Sequence, residues 1–370
     1  MKPVLIFSGA NDRAVIAFCR YAENAKINYA IVANGEEDLI FSSDYNTKVI
    51  ATRRKNELTL KTFLEFTSLC KVMFFTKELF VLPSTEYLNR FLLKNNEKII
   101  AERISFGLCN KHLYTLISDK FGFGNLCEKF QIPVPTVYSK RPDSFPYVVK
   151  PKTYFSTNEN VNSKPVLIYS KQQEKEFLSH VDLDEVYYQE YIGGKSIYLL
   201  FYFYKNKTYS VFSQENYVQQ DNGESMIFCK SANYHSNDSL IDKYVQLFID
   251  QNFHGLVMIE IKYYRNEYFM IEANPRLWGP SQLILDSKMT LFDDFAQDNN
   301  LIYNNVFRND YKTGVTYFWS GGLVETKKKN VEPMFYDIDK EYFFQHYSII
   351  NKNEVYNRKD TVKIYLKENQ

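Results

Sequence analysis

The stretch GLVMIEIKYYRNEYFMIEANPRLWGPSQ, Gly255 to Gln282, carries the densest chemistry of the 370-residue chain. Its two β-rich runs, Leu256 to Tyr263 and Tyr268 to Asn274, flank a polar turn and predict a hairpin, because both are rich in β-branched, aromatic and aliphatic residues. Successive side chains alternate between faces. Val257, Ile259, Ile261, Phe269, Ile271 and Ala273 then share an apolar face, and Met258, Glu260, Lys262, Met270, Glu272 and Asn274 share the other. A three-residue loop, Arg265 to Glu267, sets Glu260 opposite Glu272 at roughly 4.5–5.5 Å between Cβ atoms. Like charges so placed repel, and a cation is expected between them. The competing reading puts both glutamates on a solvated face. Against it stands Asn274, two residues past Glu272 on the same face, which adds a third oxygen ligand. Two carboxylates and an amide carbonyl suit Mg2+, a hard ion usually shared with substrate phosphates. Pro275 ends the pairing, and Arg276 follows with a planar fork suited to phosphate. The stretch predicts a metal–phosphate platform.

Bulk composition narrows the partners. With 45 basic and 44 acidic residues the net charge is +1, so no global field draws in nucleic acid or a membrane surface. Five scattered cysteines without C-x-x-C spacing suggest neither a disulfide framework nor a zinc site. Five histidines form no ligand-spaced pair. The opening MKPVLIFSG lacks the apolar region and cleavage site of a signal peptide. The longest apolar-aromatic run, Ile197 to Tyr204, is far below the ~20 residues that span a bilayer. The expectation is a soluble, cytoplasmic protein.

Along the chain, strands at Val4 to Phe7, Tyr29 to Ala33, Val49-Ile50 and Leu79 to Leu82 alternate with helical runs at Asp12 to Glu23, Leu58 to Cys70 and from Glu86 onward. That alternation predicts a parallel, doubly wound sheet over residues 1–115. No G-x-G-x-x-G follows the first strand, which argues against a nicotinamide cofactor. Beyond Asp119-Lys120 the pattern becomes α+β. A helical segment ends at Gln131-Ile132-Pro133-Val134-Pro135; strands follow at Tyr147 to Lys150 and Val166 to Tyr169, around the polar loop Thr153 to Ser163. Strands at Glu185 to Ile192 and Ser196 to Tyr204 surround Gly193-Gly194. Asp238 reads as the N-cap of a helix Ser239 to Gln251, with Gly255 as the stop after it.

In this order the elements resemble the ATP-grasp superfamily, and within it the carboxylate–amine ligase branch, over roughly residues 1 to 300. The resemblance rests on Lys120 before Ile132-Pro133-Val134-Pro135, on Val148-Val149-Lys150-Pro151, on the hinge Gln189-Glu190-Tyr191-Ile192-Gly193-Gly194, and on Glu260 with Glu272-Ala273-Asn274-Pro275-Arg276. It implies an N-terminal doubly wound domain (1–115) and two α+β subdomains, one with the lysines and phosphate flap (116–187) and one with the hinge and metal platform (188–310). Residues 311–370 receive no role. It further implies that Lys120 and Lys150 hold ATP phosphates, that Gln189, Glu190, Tyr191 and Ile192 border the adenine, and that Ser196 stands where an acidic residue often holds the ribose. Ser156 and Thr157 would donate to phosphate from a flap without glycine. Glu260, Glu272 and Asn274 would bind Mg2+ (Mn2+ as the alternative), with Arg276 as the catalytic clamp. The implied activity is an ATP-dependent ligase that activates a carboxylate as an acylphosphate and joins it to an amine. Amino acids or glycan precursors are the expected substrate class, and a homodimer the expected assembly. The alternative is a non-catalytic, regulatory ATP-binding module.

Overall fold

Short apolar runs cut by turn residues fold the first hundred residues into alternating strands and helices. The computed structural model describes residues 1–153, 164–179, 182–303 and 310–370. Strands β1 (Val4–Phe7), β2 (Tyr29–Asn34), β3 (Val49–Arg53), β4 (Leu79–Val81) and β5 (Ile104–Ser105) form one parallel sheet in the order β3-β2-β1-β4-β5. Every residue of β1 is buried, as a sheet covered on both faces requires. Val4 and Ile6 pack with helix Asp12–Asn24 in one core, and Leu5 and Phe7 pack with helix Leu60–Met73 in the other. The doubly wound expectation holds.

Two antiparallel sheets follow. β6 (Val137–Tyr138), β7 (Tyr147–Pro151), β8 (Val166–Ile168) and β9 (Val186–Glu190) make a small sheet in the order β6-β9-β7-β8. The larger sheet contains β10 (Lys195–Phe203), β11 (Tyr209–Gln219), β12 (Met226–Ala232), β13 (Gly255–Tyr264), β14 (Glu267–Asn274) and β15 (Thr316–Phe318), in the order β14-β13-β10-β11-β12-β15. A short β16 (Met334–Phe335) pairs with β11 as well. The C-terminal residues are thus woven into the large sheet. They are also tied to the N-terminal unit, where Asp360 accepts from Arg20 Nε at 2.7 Å and from the Tyr45 hydroxyl at 2.7 Å.

Three local expectations are corrected. The cap of helix Asp238–Asp250 is Asn237, whose side chain accepts from Leu240 N at 3.3 Å; Asp238 lies in the first turn, where its charge favours the helix dipole. The residue that reverses the chain directly after that helix is Asn252 (φ 51°), while Gly255, also at positive φ (112°), opens β13. The hairpin loop is not three residues long. Arg265 and Asn266 both have positive φ (50° and 63°), the two-residue turn that suits the right-handed twist of paired strands. Such a turn alone would leave Glu260 and Glu272 out of register. A bulge at Ile271 corrects it: Ile261 pairs with Met270, yet Glu260 pairs with Glu272. In consequence Met270 turns into the core with Ile261, and Phe269 pairs with Lys262, the reverse of the faces expected from simple alternation.

Candidate active site

Four separate elements converge on one cavity of about 390 Å³ between the small sheet and the β13–β14 hairpin. Lys120 begins helix Lys120–Lys129, Lys150 lies near the end of β7, Gln189 to Ile192 form the link from β9 to β10, and Glu260, Glu272, Asn274 and Arg276 come from the hairpin and its exit. Of the residues singled out in the sequence, these ten line the cavity. Ser156 and Thr157 lie outside the described residues. Ser196 is the departure. It is fully buried, donates to Glu260 Oε1 at 3.3 Å and accepts from Asn216 Nδ2 at 3.0 Å, so its hydroxyl supports a carboxylate and does not face a ribose.

The linker from β9 to β10 is shaped by close approach. Gly194 has φ +80°, and a Cβ there would lie 2.2 Å from the Tyr263 carbonyl oxygen. No other residue fits that contact. The Glu190 carboxylate accepts from the Thr136 hydroxyl at 2.8 Å, and Gln189 Nε2 donates to Pro135 O at 3.2 Å. These bonds pin the strand end at the wall of the cavity.

The two carboxylates have different environments. Glu260 is 6% exposed; burial pushes its carboxyl above the ordinary range, Lys262 opposes this and the facing Glu272 adds to it. Burial works against ionised Glu272 too, but an ion pair with Lys120 and a 2.8 Å hydrogen bond from Asn274 Nδ2 overcome it, holding that group well below its ordinary range. The cation expected between the glutamates is therefore supplied in part by Lys120. Lys150 is 4% exposed and donates to the Ile271 carbonyl at 3.2 Å, the group that the bulge turns toward it. Burial and the neighbouring Lys120 push Lys150 down to about 8, against the pull of Glu272 and Glu260. Among the described residues no three His, Cys, Asp or Glu side chains cluster as a metal site, so a metal held by Glu260 and Glu272 would need the Asn274 amide oxygen as its third protein ligand. The donor set fits Mg2+. It is made of hard oxygens, and a divalent charge would favour the ionised form of Glu260, which burial disfavours.

Arg276 leaves the hairpin through a tight turn in which its N–H reaches back to Asn274 O at 2.9 Å, around Pro275. Its Nη1 donates to Leu277 O at 3.1 Å and its Nη2 lies 3.4 Å from Asn274 Oδ1. Glu86, from the N-terminal unit, sits 4.0 Å from its Nε and also binds Arg90 and Tyr114. Sequence reasoning missed Glu86, and it missed Lys262 and Tyr336. Lys262 is 7% exposed, its Nζ makes no hydrogen bond, and it lies 3.5 Å from the centre of the Tyr336 ring, a cation–π contact inside the cavity. The parity of Lys262 with Glu260 could have flagged the lysine. Nothing local flags Tyr336, which arrives from the C-terminal segment beside β16.

No family model matches the chain, and no curated protein does. Solved structures do. Over 85% of its length the chain is similar to N5-carboxyaminoimidazole synthetase from Staphylococcus aureus, with 14% identity, TM-score 0.60 and 82% of that chain covered. The biotin carboxylase from Campylobacter jejuni, in a β-γ-ATP complex, matches 85% of the chain at 11% identity and TM-score 0.59, over 74% of its own length. Pyruvate carboxylase from Rhizobium etli matches at 13% identity and TM-score 0.59 over 82% of this chain, which spans only 29% of that larger one. These likenesses show the fold, a doubly wound N-terminal unit followed by the ATP-grasp architecture. No helix among the described residues is long and apolar enough to cross a membrane.

Proposed function

We propose that the protein is an ATP-dependent ligase that activates a carboxylate as an acylphosphate and joins it to an amine, releasing ADP and phosphate. The observation that carries this reading is the convergence of Lys120, Lys150, Glu260, Glu272, Asn274 and Arg276 on one cavity. Lys120 and Lys150 neutralise phosphate charge as point cations. The Gln189 to Ile192 backbone pairs with the adenine edge. Glu260, Glu272 and Asn274 would hold Mg2+, which when bound would supply positive charge against the phosphates. Arg276, fixed by Pro275 and faced by Glu86, steadies that group while a carboxylate oxygen bonds to the γ-phosphorus and ADP leaves. The amine then attacks the acyl carbon, and the C–O bond to phosphate breaks. Ser156 and Thr157 are proposed to donate to the phosphates from their side chains, and the chemistry requires that water be excluded, since it would otherwise hydrolyse the acylphosphate. Solved structures with this fold hold MgADP, as in the 2-oxoglutarate carboxylase domain of Hydrogenobacter thermophilus, which supports ATP and Mg2+ as cofactors. Amino acids, peptides and sugar carboxylates are the proposed substrate range, in a cytoplasmic enzyme.

The test is ADP release over pairs of amino acids, uronic acids and amines, with bicarbonate as a further acid and mass spectrometry of the products. ADP release that needs both an acid and an amine is expected. Nucleotide binding with no release under any pair would identify a non-catalytic module instead.

A further inference from the structure

A second, smaller cavity of about 280 Å³ opens at the carboxyl ends of the parallel strands. The chain runs from β1 to β2 and β3 on one side, then returns to β4 and β5 on the other. Strand ends therefore diverge beside β1, the topological position where open α/β sheets bind ligands. Ser8 follows β1, Asn34 and Arg53 end β2 and β3, and Thr85 follows β4; each contributes to the wall. Between them the lining is apolar, with Phe7, Leu58, Tyr87 and Leu88.

Arg53 is the feature that asks for a partner. Its Nε is sealed from solvent and has no hydrogen-bond acceptor. Its two Nη atoms reach only the carbonyls of Glu57 and Ser8, both at 3.5 Å. The adjacent carboxylate, Asp38, is fully engaged elsewhere: it accepts from Ser8 Oγ at 2.7 Å, Asn34 N at 2.6 Å and Ile40 N at 2.9 Å. Among the described residues Arg53 forms no ion pair. Asn34 cannot satisfy it, since its amide is fixed against Gly9 and Asn56. A guanidinium presents a planar fork that matches a carboxylate with two parallel bonds. Leaving a shielded donor without an acceptor costs free energy that a bound anion recovers.

We infer that this crevice binds a small organic carboxylate with an apolar body, the carboxylate on the Arg53 guanidinium and the body against Phe7, Leu58 and Leu88. The size and the single cation suit a ligand of amino-acid dimensions. The inference does not rest on the ligase reading, because it concerns binding to the N-terminal unit and needs no nucleotide.

The experiment is calorimetric titration of the full chain with 3-phenylpropionate, 3-phenylpropanamide and inorganic phosphate, without ATP. The carboxylate is expected to bind at least about tenfold more tightly than the amide, as a charge-assisted pair requires. Arg53→Gln is expected to remove that preference, and Leu58→Trp, which fills the crevice, to abolish binding while the thermal transition of each variant shows that it folds. Carboxylate and amide binding alike, or undiminished carboxylate binding in either folded variant, overturns the proposal. Phosphate competing at equal concentration as well as the carboxylate overturns the apolar-body assignment, because phosphate carries only the charge. If Arg53→Gln does not fold, a carboxylate preference that survives filling by Leu58→Trp decides against the site.

Discussion

The cavity behind the β13–β14 hairpin and the crevice above the parallel sheet manage charge in opposite ways. In the cavity, Lys120, Lys150, Lys262, Arg276, Glu260 and Glu272 crowd together and partly compensate one another, through the Lys120–Glu272 pair above all. In the crevice a single cation, Arg53, stands beside a carboxylate that spends its acceptors on other donors. A dense mixed-sign cluster can receive an ion and a polyanion together, because each arriving charge meets an opposite one. One unpaired guanidinium in an apolar wall suits one monoanion. The difference teaches that a mixed-sign cluster is suited to phosphoryl transfer and a lone cation in an apolar wall to recognition, the two roles proposed above.

The largest expected effect tests the transfer half of that contrast. Arg276→Ala should lower kcat by at least ~10²-fold, the scale on which one preorganised transition-state donor acts, while ATP affinity changes much less. Arg276→Lys should rescue poorly, because a point charge cannot reproduce the planar fork. Single-turnover ADP formation beside equilibrium nucleotide binding checks this. Equal losses in both would mean that Arg276 only binds the ground state, and the cavity would look more like the crevice.

A middle-sized effect concerns Lys150. Burial and Lys120 hold it down to about 8 in the free protein, and a bound polyphosphate should raise it. Nucleotide binding then takes up a proton above that pH, so affinity should fall as pH rises through about 8, by up to about tenfold per unit. Lys150→Met should remove this slope and weaken binding by roughly 10- to 100-fold, as loss of one charge-assisted contact does. For stability the sign is the opposite. The folded value lies below that of a free lysine, so the unfolded chain binds more protons between about 8 and 10.5, and the Lys150 contribution should make the free protein gain stability as pH rises across that window. Lys150→Met should accordingly raise Tm at pH 7. Proton uptake by calorimetry in buffers of different ionisation heat, and thermal scans, read these out.

The smallest effect sharpens the revised role of Ser196. Ser196→Ala removes one hydrogen bond to Glu260, worth about 1 kcal/mol. Titration of ADP formation with Mg2+ should show a few-fold higher Mg2+ requirement, with nucleotide affinity little altered. A loss confined to nucleotide affinity would restore the ribose role.

The two regions also differed in how much the chain announced. The hairpin's chemistry lies within seventeen consecutive residues, Glu260 to Arg276, and alternation put its three proposed metal ligands on one face. The bulge escaped notice because Ile271 resembles its neighbours in every property that alternation uses. β11 escaped because Ser210, Ser213, Gln214, Asn216 and Gln219 interrupt the apolar alternation that marks a strand, yet they are buried within one. Glu86, Tyr336 and the whole Arg53 crevice are assembled from strand ends and turns far apart in the chain, where no local period exists to betray a shared wall. Local regularity was legible; convergence of distant segments was not, except where a family resemblance supplied the order.

The central claim is that this cavity passes a phosphoryl group to a carboxylate before an amine takes its place. The direct measurement supplies an 18O-labelled carboxylate with ATP, Mg2+ and the amine, then analyses the released inorganic phosphate by mass spectrometry. One 18O per phosphate is expected at each turnover, because the oxygen that bonds to phosphorus stays with it when the amine displaces the acylphosphate. Product formation with unlabelled phosphate would contradict the account.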